Sequence, residues 1–530
     1  MSIIYFNRRS LLKGIAGSAL VFGSSQLPSF AEEVNPKIIN ILSGFEHPML
    51  VSLVSTSSLP LSAKVTEGLL AFDNNMQPLP QLATKWAVSP DGLDYEFALR
   101  EGVKWHDGKD FTSADVVFSL KTLQEHHPRG RATFAQVVSI DAPDAHTVTL
   151  KLKTPTPYLL VALSAAESPI VPAHIYEGTD VFTNPANNAP IGTGPYKFKE
   201  WVRGSHVEYV RNDDYWDTGK PLVAGLVARS IPDLASRSIA LETGELDIAF
   251  RTPVPPNDVS RLRENPKIRF EPKGYEYSPP NIITVEFNLE RKTFADLRVR
   301  QALAHCIDRD MIAKIVYFGL ATPCPSPVVS SLKAFHNDMP TPYNLDFDKA
   351  NALLDEAGYP KDANGKRFSI VLDYRAGDDM KRLADYLRAS FARVGVTLDG
   401  RAQDLATLSK RVYTDREFDC QIASLSNLFD PQVGVQRVLW SKNFVKGVPF
   451  SNGMNYANQE VDTLLEASAI ELDHEKRVSM WKRIQEIVIN EVPCINIVSL
   501  DWSTVHNANV TGHSDTASGF EGNFADLRVV

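Results

Sequence analysis

Cysteine is scarce in this 530-residue chain, which contains only Cys306, Cys324, Cys420 and Cys494. Because none precedes Cys306, we expect no lipid-modified cysteine near the amino terminus. The four lie far apart and show none of the short spacings that hold metal ions. An oxidising compartment would permit a disulfide, but the spacing does not say which cysteines would pair.

The amino-terminal part also lacks a hydrophobic run long enough to cross a bilayer, which needs about 20 residues. The apolar run of residues 14–22 is shorter and is interrupted by glycine. It follows the basic residues Arg8, Arg9 and Lys13 and precedes a small-residue end at Ala31. This order is typical of an export signal, and the arginine pair resembles the twin-arginine type. A chance arginine pair on an ordinary secretory signal is the alternative, and either route predicts a periplasmic protein.

Neither an excess of positive charge nor a low-complexity tract is present. The formal net charge is −9, with 43% hydrophobic and 22% charged residues. Removal of residues 1–31, which hold three cations and no acids, takes the charge to −12. Such a balance argues against nucleic acid or an anionic lipid surface as a partner. The composition is that of a globular protein, and the length exceeds one ordinary core, so we predict two lobes.

Strand and helix patterns alternate along the chain. Tyr95, Phe97 and Leu99 occupy every second position, which predicts a strand with one buried face. Apolar residues recur at helical spacing elsewhere, as in residues 383–394. Gly395, directly after this range, is a typical end of a helix. Alternation of this kind favours an α/β fold over a sandwich or a bundle.

A change in composition near residue 280 marks the predicted seam between the lobes. Two prolines precede an extended apolar strand in EPKGYEYSPPNIITVEFN, and a helix-rich run follows to about residue 490. We predict an export signal over residues 1–31, a first lobe over 32–279, a second lobe over 280–489 and a return to the first lobe over 490–530. A chain that crosses twice between two lobes suits a hinge.

The stretch WHDGKDFTSADVVFSL, residues 105–120, collects a histidine, three aspartates and several hydroxyls. Asp107 and Gly108 suit a turn, and Thr112 with Asp115 three residues later is a variant of the helix capping box. An enzymatic site would need His106 and a carboxylate to converge on a substrate, which neighbours in one turn seldom do. We therefore predict that this stretch is scaffold, and the sequence shows no metalloprotease or serine-hydrolase motif.

Several motifs in a fixed order carry a family resemblance. They are DGLDYEFALREGVKWHDGKDFTSADVVFSL, VTEGLLAFD, LPQLATKW, IGTGPYKFKEW, RNDDYWD, IALETGELDIAF, FADLRVRQALAHCIDRDMI and DFDKANALLDEAGYP. Together they resemble the family 5 extracellular solute-binding proteins, the periplasmic receptors of peptide, nickel and opine ABC importers. The resemblance implies a two-lobed, type II periplasmic-binding-protein (Venus-flytrap) fold with an extra subdomain on the first lobe.

The resemblance also implies how the chain would work. A small solute would be enclosed between the lobes, and the closed receptor, a monomer, would dock on membrane permease subunits. Since separate ATPase subunits drive such uptake, the chain itself would need no nucleotide or other cofactor and would not be an enzyme. A ligand that touches both lobes favours the closed state.

One sequence position indicates which class of solute the protein binds. In peptide-binding relatives, an aspartate four residues before the proline of a DP-type turn receives the ammonium group of the ligand. Counting back from Pro431, this position is Asn427 in ASLSNLFDPQ. An amide cannot supply the charge-assisted bond, which is worth about 1.5 to 3 kcal/mol. We therefore expect an opine, sugar-like or organic-acid solute, unless Asp430 accepts the ammonium instead or simply caps the following helix.

We choose the other ligand-binding candidates by their positions in the sequence. Phe45 and His47 follow the first strand, where relatives place ligand-facing backbone. Tyr275 and Tyr277 flank the seam, and Trp440 follows the DP-type turn. Aromatic side chains at such positions can stack on a ligand, although large aromatics are commonly core residues.

Two other functions compete with this interpretation. A secreted α/β hydrolase would need a convergent nucleophile and base, and none is visible. A nickel or haem carrier of the same family could use His47, His106 or His174, but these histidines form no ligand cluster in the sequence. We expect no metal site.

Overall fold

The computed structural model describes residues 35–44, 46–56 and 59–530 of the chain. The predicted export signal, residues 1–31, and the candidate Phe45 lie outside the described residues. Two mixed β-sheets of different composition dominate the described part, and each forms the centre of one lobe. This is the α/β alternation that the sequence predicts.

The first lobe is built on a seven-stranded sheet. Its strands, numbered along the chain and given in spatial order, are β12 (Ile268–Glu271), β19 (Thr504–Asn507), β11 (Ile248–Ala249), β1 (Asn35–Leu42), β10 (Val223–Arg229), β9 (His206–Arg211) and β8 (Tyr196–Val202). Helices α5 (Leu234–Thr243) and α6 (Pro256–Glu264) connect its strands, and a short hairpin joins β20 (Val510–Thr511) to β21 (Arg528–Val529). The parallel pairing of β1 with β10 and β11 fits α/β crossovers.

A subdomain is inserted between β1 and β8. Its four-stranded antiparallel sheet has the order β4 (Ala83–Val88), β5 (Asp94–Leu99), β7 (Thr147–Leu152) and β6 (Val137–Asp144). The remaining elements of this part are α1 (Leu59–Ser62), β2 (Leu70–Phe72), β3 (Pro78–Pro80), α2 (Ser113–His126), α3 (Gly130–Thr133) and α4 (Ala173–Tyr176). Strand β5 alternates between exposed and buried residues, as predicted, because one face of this sheet covers its own core.

The second lobe is built on a six-stranded sheet. Its spatial order is β14 (Ala321–Pro323), β18 (Cys494–Leu500), β13 (Ile282–Phe287), β17 (Cys420–Leu425), β15 (Phe368–Arg375) and β16 (Val396–Gln403). Its helices are α7 (Lys292–Ala295), α8 (Leu297–Ala304), α9 (Arg309–Ile315), α10 (Phe347–Glu356), α11 (Asp378–Ala392), α12 (Leu405–Ser409), α13 (Pro431–Gly434), α14 (Gln436–Leu439), α15 (Gln459–Ser468) and α16 (His474–Glu491), with a π-helical turn at Lys410–Asp415. Every residue of β13 is buried, since helices cover both faces of the sheet.

The chain passes twice between the two sheets. The first passage, residues 272–281, joins β12 to β13, and the second, residues 501–503, joins β18 to β19. We call these the crossing segments. Strand β18 belongs to the six-stranded sheet, and the chain next enters the seven-stranded sheet at β19. The lobe limits themselves remain our proposal.

The stretch of residues 105–120 forms scaffold contacts. Asp115 accepts hydrogen bonds from the backbone N–H of Thr112 at 2.9 Å, which starts helix α2, and from that of Ala173 at 2.8 Å. The ring of His106 bonds the carbonyl of Gly194 at 2.9 Å, and burial lowers its pKa to about 4. The predicted helix start at Thr112 is confirmed.

All four cysteines are free and buried. Burial raises the pKa of the Cys306 and Cys324 thiols to about 12, so these thiols stay protonated. Among the described residues, no helix combines the length and the apolar character that a membrane crossing requires.

Candidate functional site

A cavity of about 470 Å³ opens between the lobes beside the two crossing segments. This volume is within the range of about 300 to 1,000 Å³ usual for small-molecule sites. Both sheets contribute edge strands to its wall, through Phe270 of β12 and Thr322 of β14. The crossing segments supply Tyr275, Asp501 and Trp502. We call this space the hinge cavity.

Two consecutive residues next to the crossing segments hold an unusual backbone conformation. Arg251 and Thr252 follow β11 and have φ angles of 60° and 49°. The left-handed region costs a non-glycine residue about 1 to 2 kcal/mol, and a β-branched residue such as Thr252 is a clear outlier there. Strain of this kind persists only where surrounding contacts impose it, and it is often found at functional sites.

Both crossing segments supply those contacts. The Tyr275 hydroxyl accepts a hydrogen bond from the backbone N–H of Arg251 at 2.8 Å. The backbone N–H of Thr252 donates to the carbonyl of Ser503 at 2.8 Å, and the N–H of Ser503 donates to the Thr252 hydroxyl at 2.9 Å. The strained pair is therefore bonded to both passages of the chain at once.

Aromatic rings surround this junction. Tyr275 is buried, its ring centre lies 5.9 Å from that of Trp502, and burial raises the pKa of its hydroxyl to about 12. The Arg251 guanidinium lies over the Trp502 ring, 4.5 Å from its centre. Tyr275 is thus at the hinge cavity, as its place in the sequence suggests, and Trp502 is a second aromatic that we did not single out from the sequence.

Tyr277 has a different environment, inside the contact between the lobes. Its ring lies 5.2 Å from that of Phe429, which follows β17 in the second lobe. Its hydroxyl donates to the carbonyl of Val161 in the subdomain at 2.7 Å. Tyr277 is almost fully buried, so in this conformation it joins the lobes by packing.

Asn427 is fully buried and supports one wall of the hinge cavity. Its side-chain oxygen accepts a hydrogen bond from the N–H of Val329 at 2.6 Å, and its amide nitrogen donates to the carbonyl of Pro327 at 3.1 Å. Val329 lines the cavity. The amide is suited to this double role because it can accept and donate at the same time.

Asp430 forms an ion pair inside the second lobe. Its two oxygens lie 2.6 and 2.8 Å from the Nη2 and Nη1 atoms of Arg477, and both side chains are about 95% buried. One of its oxygens also accepts the backbone N–H of Gln432 at 2.8 Å, at the start of α13. The carboxylate is therefore occupied by a buried cation and by a helix cap.

His47 and Trp440 lie apart from the hinge cavity. His47 is buried, and its Nε2 atom lies 3.2 Å from the carbonyl oxygen of Ser43. Trp440 is half-buried and donates its indole N–H to Glu466 at 3.0 Å. Of the candidate residues named from the sequence and described here, only Tyr275 lines this cavity.

Charged side chains meet where the subdomain faces the second lobe. Arg129 of the subdomain has its Nη2 atom 2.5 Å from a carboxylate oxygen of Glu167. Burial raises the pKa of Glu167 to about 7, although Arg129 favours the ionised form. Arg437 of α14 is half-buried, and burial lowers the pKa of its guanidinium, although the nearby buried carboxylate of Glu286 favours the charged form.

Among the described residues, one group of side chains could hold a metal ion: Glu200, His206 and Glu208, on the β8–β9 hairpin far in sequence from both crossing segments. None of the histidines considered for a nickel or haem carrier belongs to this group. His106 bonds backbone carbonyl oxygen, and His174 pairs with Asp107 at 2.7 Å.

The comparisons with known proteins agree with this architecture. A family profile described as bacterial extracellular solute-binding proteins, family 5, matches residues 77–444. The chain belongs to this family. Members of family 5 are substrate-binding proteins of ABC importers, so the predicted function class is confirmed, and the family binds solutes instead of converting them.

Relatives within family 5 cover most of the chain. Haem-binding protein A of Haemophilus influenzae is 28% identical over 502 residues, which is 90% of this chain and 89% of that protein. Glutathione-binding protein GsiB of Escherichia coli K12 is 27% identical over 486 residues, which is 89% of this chain and 91% of that protein.

Solved structures of the family share the fold. NikZ from Campylobacter jejuni, in complex with Ni(L-His), is 25% identical and has a TM-score of 0.77 over 93% of this chain and 98% of that one. NikA from Brucella suis is 24% identical and has a TM-score of 0.81 over 93% of this chain and all of that one. The predicted two-lobed, type II periplasmic-binding-protein fold is confirmed.

Sequence reasoning overlooked the charged residues of the interface. Arg129 follows the histidine pair of α2, and Arg437 lies in a helix of four residues, so no local pattern marks either one. Trp502 could have been noticed, because it lies within a predicted crossing. Arg251 and Thr252 carried no such signal, since their strained backbone depends on contacts with residues 24 or more positions away.

Proposed function

We propose that this protein captures a small solute between its two lobes in the periplasm and delivers it to the permease of an ABC importer. We further propose that the cargo is an opine, a sugar-like compound or an organic acid, and not a peptide recognised by its free amino terminus. Family membership supports the first statement, and two side chains of the second lobe support the second.

Asn427 and Asp430 carry the proposal on the cargo. An ammonium group is received best by a carboxylate, whereas Asn427 offers only a neutral amide, which is buried and bonds both Val329 and Pro327. Asp430 forms a buried ion pair with Arg477, and a ligand that took over this carboxylate would leave the buried arginine unpaired. Neither residue is therefore suited to receive the amino terminus of a peptide.

Isothermal titration with matched peptides tests this proposal. Dialanine and trialanine would be compared with their N-acetylated forms, which lack the ammonium group. We expect no tight binding of the free peptides, and no gain for the Asn427→Asp variant. Sub-micromolar binding of the free peptides together with loss on acetylation would refute the proposal on the cargo.

A second measurement separates a receptor from a secreted hydrolase. The protein would be purified with its bound solute, and the solute released by denaturation and identified by mass spectrometry. An unaltered solute that rebinds to refolded protein is the expected result. Recovery of a reaction product instead would support catalysis. Size-exclusion chromatography with light scattering would check our expectation of a monomer.

A further inference from the structure

Two buried serine hydroxyls at the hinge cavity have no hydrogen-bond partner. Ser499 of β18 and Ser503 of the second crossing segment both line the cavity, and they are only 6% and 9% exposed. Among the described residues, no group bonds either hydroxyl, although the backbone of Ser503 bonds Thr252. Because buried polar groups are normally hydrogen-bonded, these two hydroxyls are suited to a ligand in the cavity.

The carboxylate of Asp501 lies beside these hydroxyls. It accepts a hydrogen bond from the Thr322 hydroxyl at 2.9 Å, and Thr322 is directly opposite Ser499 in the pairing of β14 with β18. Opposite residues of an antiparallel pair have their side chains on the same face, so three oxygen-bearing side chains share one side of the cavity. Burial raises the pKa of the Asp501 carboxyl, and further donors from a ligand would stabilise its ionised form.

Trp502 adds a flat apolar surface next to these polar groups. The residue lines the cavity and is partly exposed, with its ring centre 5.9 Å from that of Tyr275. Among the described residues, its indole N–H has no acceptor. An aromatic face beside donors and acceptors suits a molecule that presents both C–H groups and hydroxyls, as the ring of a sugar does.

Charged groups of both signs surround the hinge cavity. Arg263, Asp501 and Glu276 line it, and the Arg251 guanidinium lies 4.5 Å from the centre of the Trp502 ring. A ligand of either net charge would be attracted by some of these groups and repelled by the others. An uncharged ligand with hydroxyls avoids this repulsion, because a hydroxyl can donate to a carboxylate and accept from a guanidinium.

We infer that the solute is an uncharged, polyhydroxylated compound, a sugar or a polyol, whose hydroxyls bind Ser499, Ser503 and Asp501 and whose C–H groups pack on Trp502. The inference rests on the proposed function and selects one of its three classes of cargo. Edge strands of both sheets, β12 and β14, contribute to the wall of the cavity. A solute bound there contacts both lobes and therefore favours one hinge angle over others.

The test uses sugars that share a skeleton and differ in charge. Glucose is compared with anionic glucuronate and cationic glucosamine, and galactose with galacturonate and galactosamine. Sorbitol and galactitol separate a linear polyol from a sugar ring. We expect isothermal titration to show that the uncharged member of at least one series binds about 10-fold or more tightly than its charged counterparts, because burial of an unmatched charge is costly.

Variants locate the binding site. Ser499→Ala and Ser503→Ala should each weaken binding of the uncharged probe by about 2- to 10-fold, as expected for one neutral hydrogen bond. Neither should lower the free energy of unfolding, since neither hydroxyl bonds another residue. Asp501→Asn should weaken binding by about 10- to 100-fold, because its hydrogen bonds are charge-assisted. Ser139→Ala in β6 of the subdomain, away from the cavity, is the matched control and should change nothing.

The outcomes distinguish the inference from the proposed function. Tighter binding of a charged probe, or an affinity that the double variant Ser499→Ala/Ser503→Ala changes by less than about 2-fold, would overturn the inference and leave the receptor function intact. Failure of every sugar and polyol to bind would also overturn it. The receptor function would fail as well only if the purified protein retained and rebound no unaltered solute of any kind.

Discussion

The hydroxyl of Tyr275 in the first crossing segment accepts a hydrogen bond from the backbone N–H of Arg251, which is held in a left-handed conformation. The same hydroxyl lies 3.1 Å from that of Thr504, where the second crossing segment enters β19. A single phenol therefore connects both passages between the lobes to the strained residues after β11.

We expect Tyr275→Phe to lower the free energy of unfolding by about 1 to 3 kcal/mol, because the backbone N–H of Arg251 loses the acceptor that holds it in the left-handed conformation. Urea denaturation followed by tryptophan fluorescence measures the change. Tyr209→Phe is the control, since the Tyr209 hydroxyl is buried without a hydrogen-bond partner, and its removal should cost little or stabilise. Equal losses in the two variants would contradict the role assigned to Tyr275.

Strain at Thr252 can be measured by comparing two substitutions. Thr252→Gly and Thr252→Ala both remove the hydroxyl that bonds Ser503 and Asp501. Only glycine adopts a φ of 49° without a steric cost, so Thr252→Gly should be more stable than Thr252→Ala by about 1 kcal/mol. If the alanine variant is as stable as the glycine variant, the left-handed backbone at this position is not strained.

The buried pair of Asp430 and Arg477 predicts a large loss of stability. Asp430→Asn leaves the arginine buried without a counter-charge and should cost about 3 to 5 kcal/mol. Asp385→Asn is the matched control, because Asp385 pairs with Lys381 and Arg388 on an exposed helix surface, where such pairs contribute about 0 to 1 kcal/mol. Thermal unfolding of both variants gives the comparison, and a mild effect at Asp430 would show that its carboxylate is free for another role.

Local sequence patterns were sufficient for much of the fold. The alternation in β5, the stop at Gly395 after α11 and the cap of α2 by Thr112 and Asp115 each depend on a few neighbouring residues. Such features follow from the backbone preferences of single residues and from the burial of one face of a strand or helix. Family motifs then supplied the arrangement of the lobes, which no short pattern encodes.

The candidate site was harder to predict because its properties depend on distant partners. Asp430 could be placed after β17 from sequence, but its partner Arg477 lies 47 residues further along the chain. Asn427 likewise forms hydrogen bonds with residues about 100 positions away in the sequence. Whether a polar residue is free for a ligand is decided by such long-range contacts, which a sequence pattern does not specify.

Buried Glu67 of the first lobe predicts how stability changes with pH. Its carboxylate accepts hydrogen bonds from Tyr215 at 2.7 Å, Trp216 at 2.8 Å and Thr193 at 2.9 Å. Burial nevertheless raises its pKa from 4.5 to about 7. Between these two values the folded protein binds a proton more tightly than the unfolded chain, so the free energy of unfolding should fall as the pH rises from 4.5 to 7, by at most about 3 kcal/mol.

Glu67→Gln removes this titration, so the free energy of unfolding of the variant should depend less on pH. Urea denaturation at pH 5, 6, 7 and 8 gives the free energy of unfolding for both proteins, and their difference isolates Glu67 from the buried histidines and Glu167, which titrate in both. We expect the wild type to lose stability relative to the variant as the pH rises to 7, with little further relative change above pH 8. A difference that does not vary with pH would mean that the three hydrogen bonds keep the carboxylate ionised throughout this range, because their combined effect then outweighs burial.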